Sequence, residues 1–398
     1  MTISINSRFD SGAVDVVDAS RPDDVRLRLR PDNASAFAQW FHFRVNGVLG
    51  KACRYTFENA SEAAYPDGWR DYRVVASHDS VNWFRVVDTR YDGQVLQWHY
   101  TSPSDTVWFA YFEPYGEARH HAFLGEVAAS GHARCTDLGM TLQGRPLTCV
   151  HVETADAGSP GDVRDARGAD ATATAVRAPI WMIARQHPGE TMAEWFVEGF
   201  LRRLLGLGEW AGDPVGRQLR ERATFHIVPN MNPDGAALGN LRTNACGANL
   251  NREWMQPSAA RSPEVLAVRD AIAASGISMF FDIHGDEALP WNFVAGSEML
   301  PDFSDAQRAE QDAFIARFKA VSPDFQNVHG YEAGHYNADA LTLASKYIGN
   351  RYRCLSLTLE MPFKDNADLP DPVHGWNGAR SMALGAAMCL AILRQLGD

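Results

Sequence analysis

The hydrophobic period changes once along this chain, near Tyr115, and that change limits what it can fold into. On the N-terminal side lie VRLRLR (25–30), QWFHFRV (39–45), CRYTF (53–57), DYRVVAS (71–77), NWFRVV (82–87), VLQWHY (95–100) and TVWFAYF (106–112). Each is short, rich in aromatic and β-branched residues, and bounded by Asn, Asp, Gly, Pro or Ser, which predicts an antiparallel β-sandwich over residues 1–115. Beyond Tyr115 the pattern alternates. A helical stretch (117–130) leads to a strand pair around Gly144 and LTCVHVE (147–153). Apolar strands PIWMIA (179–184), ATFHIVPN (223–230), ISMFFDIHG (277–285) and CLSLTLE (354–360) are then separated by helical segments at 190–205, 263–275, 304–321 and 378–396. Strands alternating with helices predict a mixed α/β sheet flanked by helices, residues 116–398. Between them, the Gly/Asp/Ala tract 154–175 reads as an exposed hairpin loop.

Composition excludes several roles. Basic residues number 37 and acidic residues 49, a net charge of −12 over 398 residues. That argues against nonspecific nucleic-acid binding and against an anionic membrane surface, both of which need clustered positive charge. No uninterrupted apolar run is long enough to span a bilayer, and the N-terminus lacks a basic segment followed by an apolar one. Six scattered cysteines form no CxxC pair, so the expectation is a reduced, cytoplasmic protein. The five tryptophans before Tyr115 read as core rather than as a sugar-binding platform.

Three polar clusters sit where apolar strands end, the usual location of sites in open α/β sheets. Arg185-Gln-His187-Pro-Gly-Glu190 follows PIWMIA, Asp282-Ile-His284-Gly-Asp286 ends MFFDIH, and Glu360 ends CLSLTLE. His and Glu three residues apart on a turn that opens a helix can face one ion. A distant second His completes a His₂Glu set, the ligand pattern of a catalytic zinc with an open position. Between the clusters, Asn230–Gly235, Asn240-Leu-Arg242 and Gly247–Trp254 combine turn formers with arginines, whose planar forks suit carboxylates.

The ordered set HPGE, NPDG-x-x-x-Gly-Asn-x-Arg, Leu-Asn-Arg-x-Trp, Asp-x-His-Gly and Thr-Leu-Glu resembles the M14 zinc carboxypeptidases. Within them it is most similar to the cytosolic carboxypeptidase branch, bacterial type, whose members carry a β-rich domain directly before the peptidase domain. The resemblance implies a carboxypeptidase-like fold and an exopeptidase acting on peptide or protein C-termini. It implies one Zn²⁺ per chain held by His187, Glu190 and His284. Glu360 would be the general base and acid, Arg242 would stabilise the tetrahedral oxyanion, and Asn251 with Arg252 would grip the free C-terminal carboxylate. Asp282 and Asp286 would orient His284 or serve as turn residues. The family's active-site tyrosine is expected at Tyr336, in GHYNAD, with Tyr347 and Tyr352 as the other candidates.

Deglutamylating members carry a basic residue in a stretch before the last strand. Laying ADALTLASKYIG (338–349) on that stretch puts Leu341 at its position, which speaks against glutamate removal; a gap brings Lys346 closer, and Arg185, Arg351 or Arg353 could supply charge instead. With Arg185, Arg242, Arg252 and a dication, the expected site is a positive pocket in an acidic protein. Two other readings share part of the pattern: a zinc deacylase of N-acyl amino acids, similar to aspartoacylase or succinylglutamate desuccinylase, and a non-catalytic protein that binds peptide C-termini.

Overall fold

The computed structural model describes residues 3–153, 177–300, 302–332 and 338–397, so the tract at 154–175 lies outside the described residues. The N-terminal part is two five-stranded sheets. One has the order β1 (Ser4–Asn6), β4 (His42–Asn46), β10 (Thr106–Ala110), β6 (Val75–Ser77) and β7 (Trp83–Arg85). The other runs β2 (Asp15–Asp18), β3 (Val25–Arg28), β5 (Ala52–Phe57), β9 (Leu96–Thr101) and β8 (Thr89–Tyr91). All pairings are antiparallel except β3 with β5, which is parallel. The two inner faces meet through aromatic rings: Phe43 of β4 lies against Phe57 and Trp98, and Tyr55 of β5 lies against Phe109. Trp40, Trp69 and Trp98 are buried, so the large aromatics build this core.

After α1 (Glu117–Ala129) comes a seven-stranded mixed sheet. Its order is β11 (Arg134–Met140), β12 (Pro146–Val152), β14 (Ala223–Val228), β13 (Ala178–Ala184), β15 (Met279–Ile283), β17 (Leu355–Glu360) and β16 (Phe293–Ala295). The central four, β14-β13-β15-β17, are parallel, and antiparallel strands close both edges. Side chains alternate between two cores, as a doubly covered sheet requires. Ile180 and Met182 of β13 face α2 (Met192–Leu205) and α8 (Gly378–Gly397), while Trp181 and Ile183 join the cluster formed with Val265, Val268 and Ile272 of α5 (Pro263–Ser275). Four further helices complete the unit: α3 (Pro214–Arg222), α4 (Pro233–Leu238), α6 (Asp305–Lys319) and α7 (Ala344–Tyr352). The helical period predicts α1, α2, α5, α6 and α8. It misses α3, α4 and α7, which are only 9, 6 and 9 residues long and so show little of a helical period.

Buried polar contacts join the two parts. Arg85, 5% exposed, donates to the carbonyls of Phe363 and Trp376 at 2.8 and 2.9 Å. Tyr111 stacks on Phe363 with centroids 4.4 Å apart. Within the larger part, α2 and α8 touch at glycines: a Cβ on Gly385 would overlap the Phe196 carbonyl oxygen, and one on Gly199 would overlap Met382. Gly385→Ala is therefore expected to destabilise the protein by about 1–3 kcal/mol, read as a lower midpoint in thermal or denaturant unfolding.

Candidate metal centre

The parallel register sets the three strand-end clusters side by side. Ala184 of β13 pairs with Ile283 of β15, and Ile283 pairs with Leu359 of β17. The residues after these positions, among them His187, His284 and Glu360, therefore emerge at one end of the sheet. His187 Nδ1 lies 2.6 Å from Glu190 Oε1, and His284 Nδ1 lies 2.7 Å from Glu190 Oε2 and 3.2 Å from His187 Nδ1. Two imidazole nitrogens and one carboxylate converge within 4.8 Å of one another, all buried.

The remaining nitrogen of each ring has its own partner. His187 Nε2 meets Asn249 Oδ1 at 3.0 Å, and His284 Nε2 lies 2.9 Å from Asp282 Oδ1. That leaves both Nδ1 atoms facing the same point, as histidine metal ligands require. Gln186 donates to Asp282 Oδ2 at 2.8 Å, and Trp254 Nε1 donates to Gln186 Oε1 at 2.8 Å, so Trp254, Gln186, Asp282 and His284 form one chain of support. The Gly285 amide donates to Glu190 Oε2 at 3.1 Å.

Electrostatics favour a cation here. Burial, then the nearby Arg242, pushes His187 down to about 3, which keeps the ring neutral. Burial alone would raise Glu190, but the two imidazoles outweigh it and hold the carboxyl below its usual range. Burial opposes charge on His284 as well, yet Asp282 and Glu190 hold it well above its ordinary value. Asp282 and Glu190 thus draw positive charge, a proton or a metal ion, to this point, and the donor set fits a zinc ion.

Glu360 stands beside this cluster, 7% exposed, with Oε2 free of any hydrogen bond among the described residues. Burial raises its carboxyl well above the usual range, Glu190 and Asp286 add to this, and His284 and the Tyr331 hydroxyl pull the other way. The Arg242 guanidinium lies over the rings of Phe37 and Tyr65, at 5.6 and 5.2 Å, and makes no hydrogen bond among the described residues. Asn251 is buried; its Oδ1 accepts from the Ala344 amide at 2.9 Å, and its Nδ2 lies 3.5 Å from His284 Nε2. Arg252 Nη1 donates to the Asn251 carbonyl at 2.8 Å.

Comparison with known proteins gives this geometry its context. Residues 5–112 match the model of the cytosolic carboxypeptidase N-terminal domain, and residues 120–374 match the zinc carboxypeptidase model. The chain belongs to the zinc carboxypeptidase family. It is similar to a metallo-carboxypeptidase structure from Burkholderia cenocepacia, at 60% identity over 99% of both chains and a TM-score of 0.94. A Pseudomonas aeruginosa metallo-carboxypeptidase, solved with (2-guanidinoethylmercapto)succinic acid, is 40% identical over 98% of both chains with a TM-score of 0.89. Mouse cytosolic carboxypeptidase 6 is 24% identical over 91% of this chain and 67% of its own length. The protein is a peptidase hydrolase of a zinc-dependent family, and the expected fold and activity hold.

The other candidate residues lie in different places around this zinc carboxypeptidase site. Tyr336 lies outside the described residues. Tyr347 and Tyr352 pack against the hydrophobic cluster behind the sheet. Tyr331, missed in the sequence, donates its hydroxyl to Asp286 Oδ2 at 2.8 Å. Arg185 does not face the ligands: it is buried and donates to Glu194 Oε2 at 2.6 Å and to the Tyr115 carbonyl at 2.8 Å. Arg351 lies exposed over the Tyr352 ring, and Arg353 pairs with Asp302 at the surface. The site is not a uniformly positive pocket. It gathers the carboxyls of Glu190, Asp282, Asp286, Glu287 and Glu360, and Arg242 is near enough to feel Glu287, Glu190 and Glu360. Glu287, also missed, is buried and pushed up to about 8 by burial, with Arg242 opposing. Asp234 of NPDG is a structural anchor, accepting from Thr141 Oγ1, the Gln143 amide and Arg145 at 2.8–2.9 Å.

A third missed residue comes from the β-sandwich. Asp32 is buried, and its carboxylate accepts the amides of Leu241, Arg242 and Thr243 at 2.6, 2.8 and 2.9 Å. It thereby holds the segment that presents Arg242. No sequence period marks it, because its partners lie some two hundred residues away. Asp32→Ala strands three buried donors and is expected to cost about 2–4 kcal/mol in unfolding experiments, with a parallel fall in kcat/KM.

Proposed function

We propose that this zinc carboxypeptidase removes C-terminal residues with His187, Glu190 and His284 as the ligands of one zinc ion per chain and Glu360 as the proton carrier. The observation that carries this reading is the convergence of two Nδ1 atoms and a carboxylate beside an unpartnered carboxyl oxygen of Glu360. Zinc held there supplies Lewis-acid polarisation of the scissile carbonyl and acidifies water. Glu360 takes the proton of the attacking water and returns it to the departing amine. Its raised affinity for protons suits the second step, and its free Oε2 suits the first. Arg242, with unused donors, stabilises the developing oxyanion. The free guanidinium edge of Arg252 and the Asn251 amide bind the terminal carboxylate. That requirement explains cleavage at chain ends, since an internal peptide bond offers no carboxylate.

We place the pocket for the terminal side chain between β17 and the start of α7, where Ser345 Oγ and Thr358 Oγ1 lie 2.7 Å apart and Thr358 shares a strand face with Glu360. Next to Ser345, Lys346 is 6% exposed and its ammonium has no hydrogen bond or ion pair among the described residues. A buried cation next in sequence to Ser345, with Glu298 as a charged neighbour, is the basis for expecting an acidic terminal side chain, even though Leu341 occupies the ungapped position. The two matched stretches support a division into a β-sandwich up to Tyr115 and a catalytic unit beyond it. Six free cysteines support a cytoplasmic setting.

Glu360→Gln should retain the ligand-site zinc by elemental analysis while kcat falls by about 10²–10⁴-fold; normal turnover by this variant would refute the assignment. Burial holds Lys346 down to about 8, so it carries charge below that pH and loses it above. A preference for Glu-terminated over Leu-terminated peptides should therefore be full near pH 6.5 and fade as the pH rises through 8. Lys346→Met should lower kcat/KM for Glu-terminated peptides by roughly 10–100-fold, the worth of a charge-assisted hydrogen bond, and leave Leu-terminated ones unchanged.

A further inference from the structure

We propose that His151, Glu153 and His226 form a second site for a divalent transition metal, built on strands β12 and β14 and distinct from the strand-end cluster. In the antiparallel pairing of these strands His151 stands directly opposite His226, so both rings lie on one face of the sheet. Their Nδ1 atoms are 2.8 Å apart. The Glu153 carboxylate joins them, and the three donor atoms lie within 4.8 Å of one another. Among the described residues the same criterion is met only by His187, Glu190 and His284.

The spacing selects the class of ion. With metal–nitrogen bonds of about 2.0–2.1 Å, two nitrogens on one ion sit roughly 2.9 Å apart at a right angle and about 3.3 Å apart in a tetrahedron. The pair therefore suits the right-angled geometry of Cu(II) or Ni(II) as it stands, and accommodates Zn(II) after a shift of about 0.5 Å. Imidazole with carboxylate is a donor set for these borderline ions rather than for Ca²⁺ or Mg²⁺.

Both rings are held for this role. Thr136 Oγ1 bonds His151 Nε2 at 2.7 Å, which leaves Nδ1 as the free donor. His226 stacks on Trp181 at 4.7 Å with an interplanar angle of 25°, and Trp181 is tied in turn to Ser275 Oγ at 3.0 Å. His226 is buried, His151 is half-buried and Glu153 is exposed, so the site opens to solvent on one side. Arg134 pairs with His151 from β11 and repels a cation, which makes this site weaker than the strand-end one. None of its residues belongs to the peptide-cleaving machinery.

The test uses the full chain, stripped with a chelator and titrated with Zn(II) and separately with Cu(II), with bound metal counted by elemental analysis after desalting at fixed free metal. Two equivalents per chain are expected, the second weaker. The double variant His151→Gln, Glu153→Gln should bind one equivalent and hydrolyse peptides like the parent. If that protein fails to fold by circular dichroism, Glu153→Gln alone, a change at an exposed side chain, decides; it should weaken the second equivalent about tenfold or more. One equivalent in the parent chain, as for two imidazoles that merely share a proton, overturns the proposal. So does a second equivalent that binds as tightly in the folded variant.

Discussion

The parallel register of β13, β15 and β17 is the constraint on which the rest of this protein depends. Strands about 4.8 Å apart end side by side, and at or just after those strand ends stand His187, His284 and Glu360. A slip of one residue on β15 would send His284 to the opposite face and leave Glu190 without its second imidazole. The register is secured by two apolar cores, one under α2 and α8 and one under α5, which leave no freedom for a strand to slide.

A site with this many carboxylates must be held against its own charge. Glu190, Asp282, Asp286, Glu287 and Glu360 gather at one strand end, and burial makes each charge costly. Neutral polar residues carry much of the organisation: Trp254 fixes Gln186, Gln186 fixes Asp282, and Asn249 fixes His187. Arg242 offsets part of the carboxylate charge without pairing to it among the described residues. Arg242 is steadied by the rings of Phe37 and Tyr65, which leaves its donors available.

The β-sandwich is part of this arrangement rather than an appendage. Phe37 and Tyr65 wall the site, Asp32 clamps residues 241–243, and Arg85 spends its guanidinium on carbonyls near the C-terminal helix. Gly247, at a φ of 82°, lets the same loop approach the Ala34 backbone where any side chain would collide. The position of Arg242 is thus set by residues from both halves of the chain. The paired His151 and His226, by contrast, owe their meeting only to neighbouring strands.

By itself the sequence determined the change of period near Tyr115, the strand ends that bear polar clusters, and the residue types that can ligate a metal. These are local properties: a strand alternates because its faces differ, and HPGE sits at a strand end whatever lies across from it. It also determined too little to rank the arginines, because a guanidinium reads the same whether it is free, like Arg242, or consumed, like Arg185 on Glu194. Only the tertiary structure decided that Tyr331 reaches Asp286, that Tyr347 and Tyr352 turn to the core, and that Lys346 is buried. It alone brought Asp32 to the amides of Leu241–Thr243. Each of these depends on contacts between residues far apart in the chain, and the energy of a buried charge is set by those neighbours rather than by its own identity.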